Sequence, residues 1–116
     1  MSECLHYELG HFGIRVVIIE PGYIAPGMKP GSEWGMEAPY DELGRQWWAA
    51  ADTLVGAGGR PQPEIVGEAI WDAITTETPR LRVPVGADAE LVLSTRAQLD
   101  DETFEQTMRA TLGLTW

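Results

Sequence analysis

The chain opens on apolar residues four apart, Leu5 and Leu9, with Phe12 following after Gly10. That spacing predicts the closing turns of an amphipathic helix over 2–9, stopped by glycine. So short a stretch is marginal as a helix by itself, which makes it the tail of something longer. The next segment, Ile14-Arg15-Val16-Val17-Ile18-Ile19, is β-branched at five of six positions. Apolar on both faces, it predicts a strand over about 14–19 buried between two layers, as in a parallel sheet. Glu20-Pro21-Gly22 ends it, because proline cannot donate to a ladder and glycine permits a turn.

Residues 23–38 show no period. Ala25-Pro26-Gly27 and Lys29-Pro30-Gly31 are turn signals, and the stretch reads as a long loop of the kind that is often functional. Helical spacing returns at Tyr40, Leu43, Trp47, Ala51 and Leu54, predicting a helix over 39–55 with Pro39 at its start and Gly56-Ala57-Gly58-Gly59 at its end. Ile65, Val66, Ala69, Ile70, Ala73 and Ile74 predict a second helix from Pro63. Leu81-Arg82-Val83-Pro84-Val85 alternates, predicting a short strand over about 81–85. Pro84 argues for a sheet edge. Two helices follow. The first, over 88–97, has Leu91, Val92 and Thr95 inward. The second is capped by Asp100 or Asp101, carries Phe104, Met108 and Leu112 on one stripe, and is closed by Gly113. About five helices and two strands make an α/β chain, one small domain over 1–116.

Composition narrows the function classes. A net charge of −10, with acids spread along the chain, repels a phosphate backbone and argues against nucleic acid. No apolar run approaches a membrane span, and no basic segment precedes an apolar one at the N-terminus. The single Cys4 excludes an intrachain disulfide, and a cytoplasmic setting is the expectation.

Candidate chemistry is sparse. Cys4, His6, Glu8 and His11 are all possible metal ligands, but on a helix Cys4 and Glu8 share a face while His6 is turned by about half a turn. No metal site is expected. Ser2, Ser32 and Ser94 lie outside any strained elbow, and Cys4 beside His6 or His11 has proximity in sequence without defined geometry. Glu20, just before the turn, is a weak site hint, better read as paired with a nearby arginine or facing solvent. Trp47 lies on the apolar stripe and Trp48 at its edge. That pair reads as core and partial cover, or as an aromatic lining for a substrate or partner.

One combination is specific. Ser2-Glu3-Cys4-Leu5-His6-Tyr7-Glu8-Leu9, then Phe12-Gly13-Ile14-Arg15-Val16-Val17, then Glu20-Pro21-Gly22-Tyr23-Ile24 resembles the short-chain dehydrogenase/reductase family just after its catalytic helix. Pro63–Ile74 and Leu81–Asp88 resemble its late helix and last strand, so the resemblance covers most of the chain and matches the family's C-terminal portion. It implies part of a doubly wound, Rossmann-like parallel sheet that binds NAD or NADP. By position it implicates Pro21, Gly22, Tyr23 and Ile24, as vestiges of a cofactor contact at the nicotinamide end. The loop and helix that follow, with Met28, Trp34, Tyr40, Trp47 and Trp48, would form a lid over a small-molecule substrate.

Departures from the pattern count as much. No glycine-rich turn joins a strand to a helix, where backbone amides would meet a pyrophosphate. Gly56-Ala57-Gly58-Gly59 follows a helix and reads as a stop and hinge. The family's catalytic Tyr-x-x-x-Lys is absent: Lys29 is the sole lysine, and Ala25 stands four residues before it. Ala25 and Pro26 also occupy the neighbourhood of a cofactor-holding threonine. The expectation is therefore a truncated, oxidoreductase-like chain that does not move a hydride alone and for which no cofactor is expected in isolation. The alternatives are a self-associating or partner-completing module, and a small hydrolase-type enzyme with its site at an oligomer interface. A strand of this kind left with one neighbour exposes its other edge, so a homo-oligomer, a dimer first, is expected.

Overall fold

The computed structural model describes residues 1–26 and 37–115, without the side chains at positions 48, 51 and 52. The elements run α1 (Ser2–Gly10), β1 (Ile18–Pro21), α2 (Asp41–Val55), α3 (Glu64–Thr75), β2 (Arg82–Val85), α4 (Ala87–Gln98) and α5 (Asp101–Leu112). β1 and β2 pair in parallel, Ile18 opposite Arg82 and Pro21 opposite Val85. The long connection between them contains α3, which packs on both strands. Among the described residues the arrangement is α/β, with two parallel strands and five helices as the hydrophobic pattern predicts and a partial doubly wound unit as the resemblance implies.

β1 is shorter than its β-branched run. It begins at Ile18 rather than Ile14, because its described ladder partner is β2, and that strand begins only at Arg82. The first ladder bond, Ile18 N–H to the Leu81 carbonyl, marks where pairing starts. Proline at either strand does no harm, for a geometric reason. The bonds from Ile18 to Leu81 and from Gly22 to Val85 show that alternate residues of each strand face the other. Pro21 and Pro84 are the intervening residues, so their nitrogens point away from the ladder.

Two boundaries shift for local reasons. α1 does not stop at Gly10 but includes it, and the residue with left-handed backbone is Gly13, at φ 73°. Pro63 is the N-cap of α3 rather than its first helical residue. The expected loop over 23–38 is described only at its two ends.

The faces of two helices also differ from the stripe drawn from sequence. On α2 the innermost residues are Gly44 and Ala50, with Leu43 and Leu54 half-buried, while Tyr40 and Trp47 are exposed. Small residues let a helix approach its neighbours closely, and α2 packs on both α4 and α5. On α4 the buried pair is Asp88 and Ala89, with Val92 and Thr95 half-buried, and Leu91 faces outward.

The C-terminal layer is tied by specific bonds. Gln46 of α2 both donates to Thr115 Oγ1 (2.9 Å) and accepts from its backbone N–H (2.9 Å). Asp100 caps α5 by accepting from the Thr103 backbone N–H at 2.8 Å, and Gly113 closes it at φ 65°. Arg96 lies over the Phe104 ring at 5.4 Å, joining α4 to α5.

Apolar burial is thin elsewhere. Among the described residues the buried hydrophobics are Ala50, Val85 and Ala89, and no large side chain is fully enclosed. The radius of gyration is 17.0 Å, where a closely packed chain of this size has about 13 Å. An open groove with a cavity volume of about 410 Å³ runs between β1 and α3, lined by Arg15, Val17, Ile19, Ile70, Ala73 and Ile74. Trp71 (65% exposed) and Ile74 (62%) of α3 are largely exposed. No helix among the described residues is long and apolar enough to cross a membrane.

Candidate functional site

In open α/β sheets, ligands meet the fold at the carboxyl ends of the parallel strands. Here those ends are Pro21-Gly22-Tyr23 after β1 and Gly86-Ala87-Asp88 after β2, brought side by side by the parallel register. The Gly22 N–H donates to the Val85 carbonyl at 3.0 Å, which continues the ladder one residue past β1. The next amide turns to a side chain: Tyr23 N–H donates to Asp88 Oδ2 at 2.6 Å.

Asp88 reaches this place because each strand is followed directly by a glycine. Gly86 has φ 104°, a backbone state that L side chains rarely adopt, and a Cβ there would stand 2.7 Å from Asp88 Oδ1. A Cβ at Gly22 would fall on the carboxylate itself. The acid is 7% exposed and sits in the first turn of α4, where the helix dipole favours negative charge. Beyond the turn, the Ala25 N–H donates to the Pro61 carbonyl at 2.8 Å, and the Arg60 guanidinium lies over the Tyr23 ring at 5.5 Å. The segment leaving β1 is thus held from both the β2–α4 junction and the chain just before α3.

The four residues implicated by resemblance lie together at this turn. Pro21 is exposed, while Gly22, Tyr23 and Ile24 are half-buried. Their backbone is largely committed to the protein: Gly22 and Tyr23 donate inward, and Ile24 N–H makes no hydrogen bond with any described residue. The space that glycine leaves at position 22 is filled by Asp88, so it forms no cradle for a ligand. No glycine-rich turn between strand and helix supplies amides for a pyrophosphate.

The lid residues are more scattered. Met28 and Trp34 lie outside the described residues, as does the Trp48 side chain. Tyr40 and Trp47 (43% exposed) lie on the solvent side of α2, whose inner face packs on α4 and α5. Other candidates stay apart. Cys4 is exposed on α1, and among the described residues no group of three or more possible ligands is placed to hold a metal ion. Ser94 Oγ donates to the Leu91 carbonyl of its own helix at 3.0 Å.

Of the two places expected for Glu20, solvent or an arginine, it takes the arginine. Arg82 bonds it through Nη1 and bonds Glu3 of α1 through Nη2 at 2.7 Å. The Arg82 hydrogen bond, reinforced by its charge, holds the Glu3 carboxyl below its usual value. This network fastens α1 to the start of the sheet.

Asp88 is the site residue that the sequence reading missed. Its local signal was an acid in the first turn of a predicted helix, which is a common stabilising placement anywhere. Nothing in the neighbouring residues says that the side chain points inward to an amide 65 positions earlier.

No family model matches the chain. Two proteins of Schizosaccharomyces pombe, both described as uncharacterized oxidoreductases, are each 33% identical to it over 115 residues, covering 98% of this chain and 48% of their own. Human 17-beta-hydroxysteroid dehydrogenase type 6 is 29% identical over 103 residues, covering 77% of this chain and 32% of its own. The chain thus spans about half the length of the yeast relatives that it matches. The resemblance carried by the helix, the strand and the Pro21-Gly22 turn is met by similarity to oxidoreductases along nearly every residue, and the chain is a relative of the short-chain dehydrogenase/reductases that resembles their C-terminal portion.

Proposed function

We propose that these 116 residues form the substrate-side half of an oxidoreductase site and do not transfer a hydride on their own. The observation that supports this most is the turn after β1. Its glycine and its Tyr23 amide are fixed by Asp88 at the carboxyl end of a parallel strand, where such folds meet their ligands. Hydride transfer also needs a proton donor beside a positioned cofactor. The sequence holds neither the Tyr-x-x-x-Lys pair nor a phosphate-binding turn. On this reading NAD or NADP belongs to a site completed by further polypeptide, in a cytoplasmic setting.

The relatives suggest the test. The purified chain is mixed with NADH or NADPH while the fluorescence of its Trp residues is followed. It is then offered the ketone that corresponds to a 17-beta-hydroxysteroid, the compound class in the name of the human relative. No saturable tight binding and no loss of reduced nicotinamide are expected. Consumption of the cofactor in step with carbonyl reduction would overturn the proposal.

A second reading rests on the open groove. Val17, Ile19, Ile70 and Ile74 line a surface with no described segment over it, and each such side chain contributes about 1.5–3 kcal/mol when buried. We propose that the chain covers this edge by self-association, a dimer first. Sedimentation in dilute solution decides: a stable, well-folded monomer sinks the idea.

A further inference from the structure

Two strand ends and one carboxylate meet in a single joint. Asp88 Oδ2 accepts the Tyr23 N–H at 2.6 Å across 65 residues of chain. Gly22 and Gly86 each lack the Cβ that would displace that carboxylate, and the Gly22 N–H is held separately by the Val85 carbonyl at 3.0 Å. A charge-assisted bond to a buried carboxylate is among the stronger hydrogen bonds available to a backbone amide. The alternative partner, water, has poor access to a group that is 7% exposed.

We propose that Asp88 is the positioning residue of this site: its carboxylate sets the backbone of the turn at Gly22 and Tyr23, so that the site's edge is preorganised within the C-terminal portion alone. The inference rests on the reading of that turn as part of an oxidoreductase site. In its physical content it goes further, because it assigns a role to a residue outside the Pro-Gly segment. A glutamate would be a methylene too long for the space between the two glycines. An asparagine keeps one acceptor oxygen and loses the charge.

The test follows the Tyr23 amide by NMR in the 116-residue chain. In the wild type, the Tyr23 amide proton shift is expected to move with pH along the same curve as the Asp88 carboxyl carbon. Asp88→Ala should lower hydrogen-exchange protection at Tyr23 by about tenfold or more. Asp88→Asn should restore part of it. Gly22→Ala, which pushes the carboxylate aside, should give a similar loss while amides in the middle of α5 stay protected. The double variant Gly22→Ala/Asp88→Ala should lose no more than Asp88→Ala alone. If Asp88→Ala abolishes folding, the wild-type titration still decides. A Tyr23 amide that ignores the Asp88 titration, or keeps its protection in Gly22→Ala, overturns the assignment. None of these readouts involves a cofactor or turnover. Reduction of a carbonyl by the chain alone would therefore defeat the functional reading and leave this one standing.

Discussion

The two flanks of this small sheet are built to different standards. On the β2 side, α4 packs against the strand, α2 and α5 pack against α4 and one another, and the buried residues Ala50, Val85, Asp88 and Ala89 all lie there. On the β1 side, α1 has no buried residue and is fastened by the Glu3–Arg82 bond, while α3 leaves Ile70, Trp71 and Ile74 in solvent. Both flanks are rich in apolar side chains. What differs is whether a described element faces them. A helix keeps its apolar stripe only by burying it, so the first flank is a finished layer and the second has no described element over its apolar side chains. Pro21, with its nitrogen directed away from β2, also removes a donor from the open edge of β1, which blunts that edge against indiscriminate strand pairing.

The contrast can be broken most sharply at its best-packed point. Ala50→Asp places a charge at a seam that is 3% exposed, and the expected cost is about 3 kcal/mol or more. In a chain with so little core, loss of a cooperative urea transition is the expected result. If Ala50→Asp unfolds like the wild type, burial on the inner face of α2 is not what holds the layer.

Val85→Ala should cost about 2 kcal/mol by removing a buried side chain from β2. Trp71→Ser, on the open flank, should change the stability of the isolated chain by less than about 0.5 kcal/mol. It should instead weaken self-association, read as a shift of the sedimentation isotherm to higher concentration. Equal losses of stability from the two variants would erase the distinction between the flanks.

A smaller effect is expected at the cap of α5. The Asp100 carboxyl is held below its ordinary value of 3.8 by the backbone N–H of Thr103, and then by that residue's hydroxyl. A carboxyl whose folded value is depressed contributes stability that is present above its unfolded value and is lost as pH falls through the folded one. Asp100→Ala should therefore lower Tm at neutral pH, with the difference from wild type shrinking below about pH 4. A pH-independent difference would show that the cap acts by something other than its charge.

The least effect belongs to the bridge between the flanks. Glu3→Gln removes the exposed partner of Arg82, and added salt should mimic it, because exposed pairs are screened. Faster exchange of the α1 amides, with no change in α5, is the expected signature. The same sign rule applies, since Arg82 holds the Glu3 carboxyl below 4.5: this tether loosens as pH falls through that lowered value.

Much of the fold was legible in the residues themselves. Five helices and two strands follow from periodicity and from turn chemistry, with Gly113 and Asp100 marking the ends of α5 as their types require. What periodicity could not supply was the side of each helix that wins burial. Tyr40 and Trp47 share a stripe with Leu43 and Leu54, yet the buried residues of α2 are Gly44 and Ala50. The choice is made by how closely two helices can approach, which depends on a partner far along the chain.

The candidate site divides in the same way. Pro21-Gly22 after a β-branched run is a local pattern, and the sequence alone places the turn, its likeness to oxidoreductases and the missing Tyr-x-x-x-Lys. The tertiary structure decides that Gly22 is glycine because Asp88 lies against it, and that Tyr23 offers its amide to that acid. No local rule pairs residue 88 with residue 23. Their meeting depends on a parallel register set by strands more than sixty residues apart, and a contact made by long-range closure leaves no trace in the spacing of neighbours.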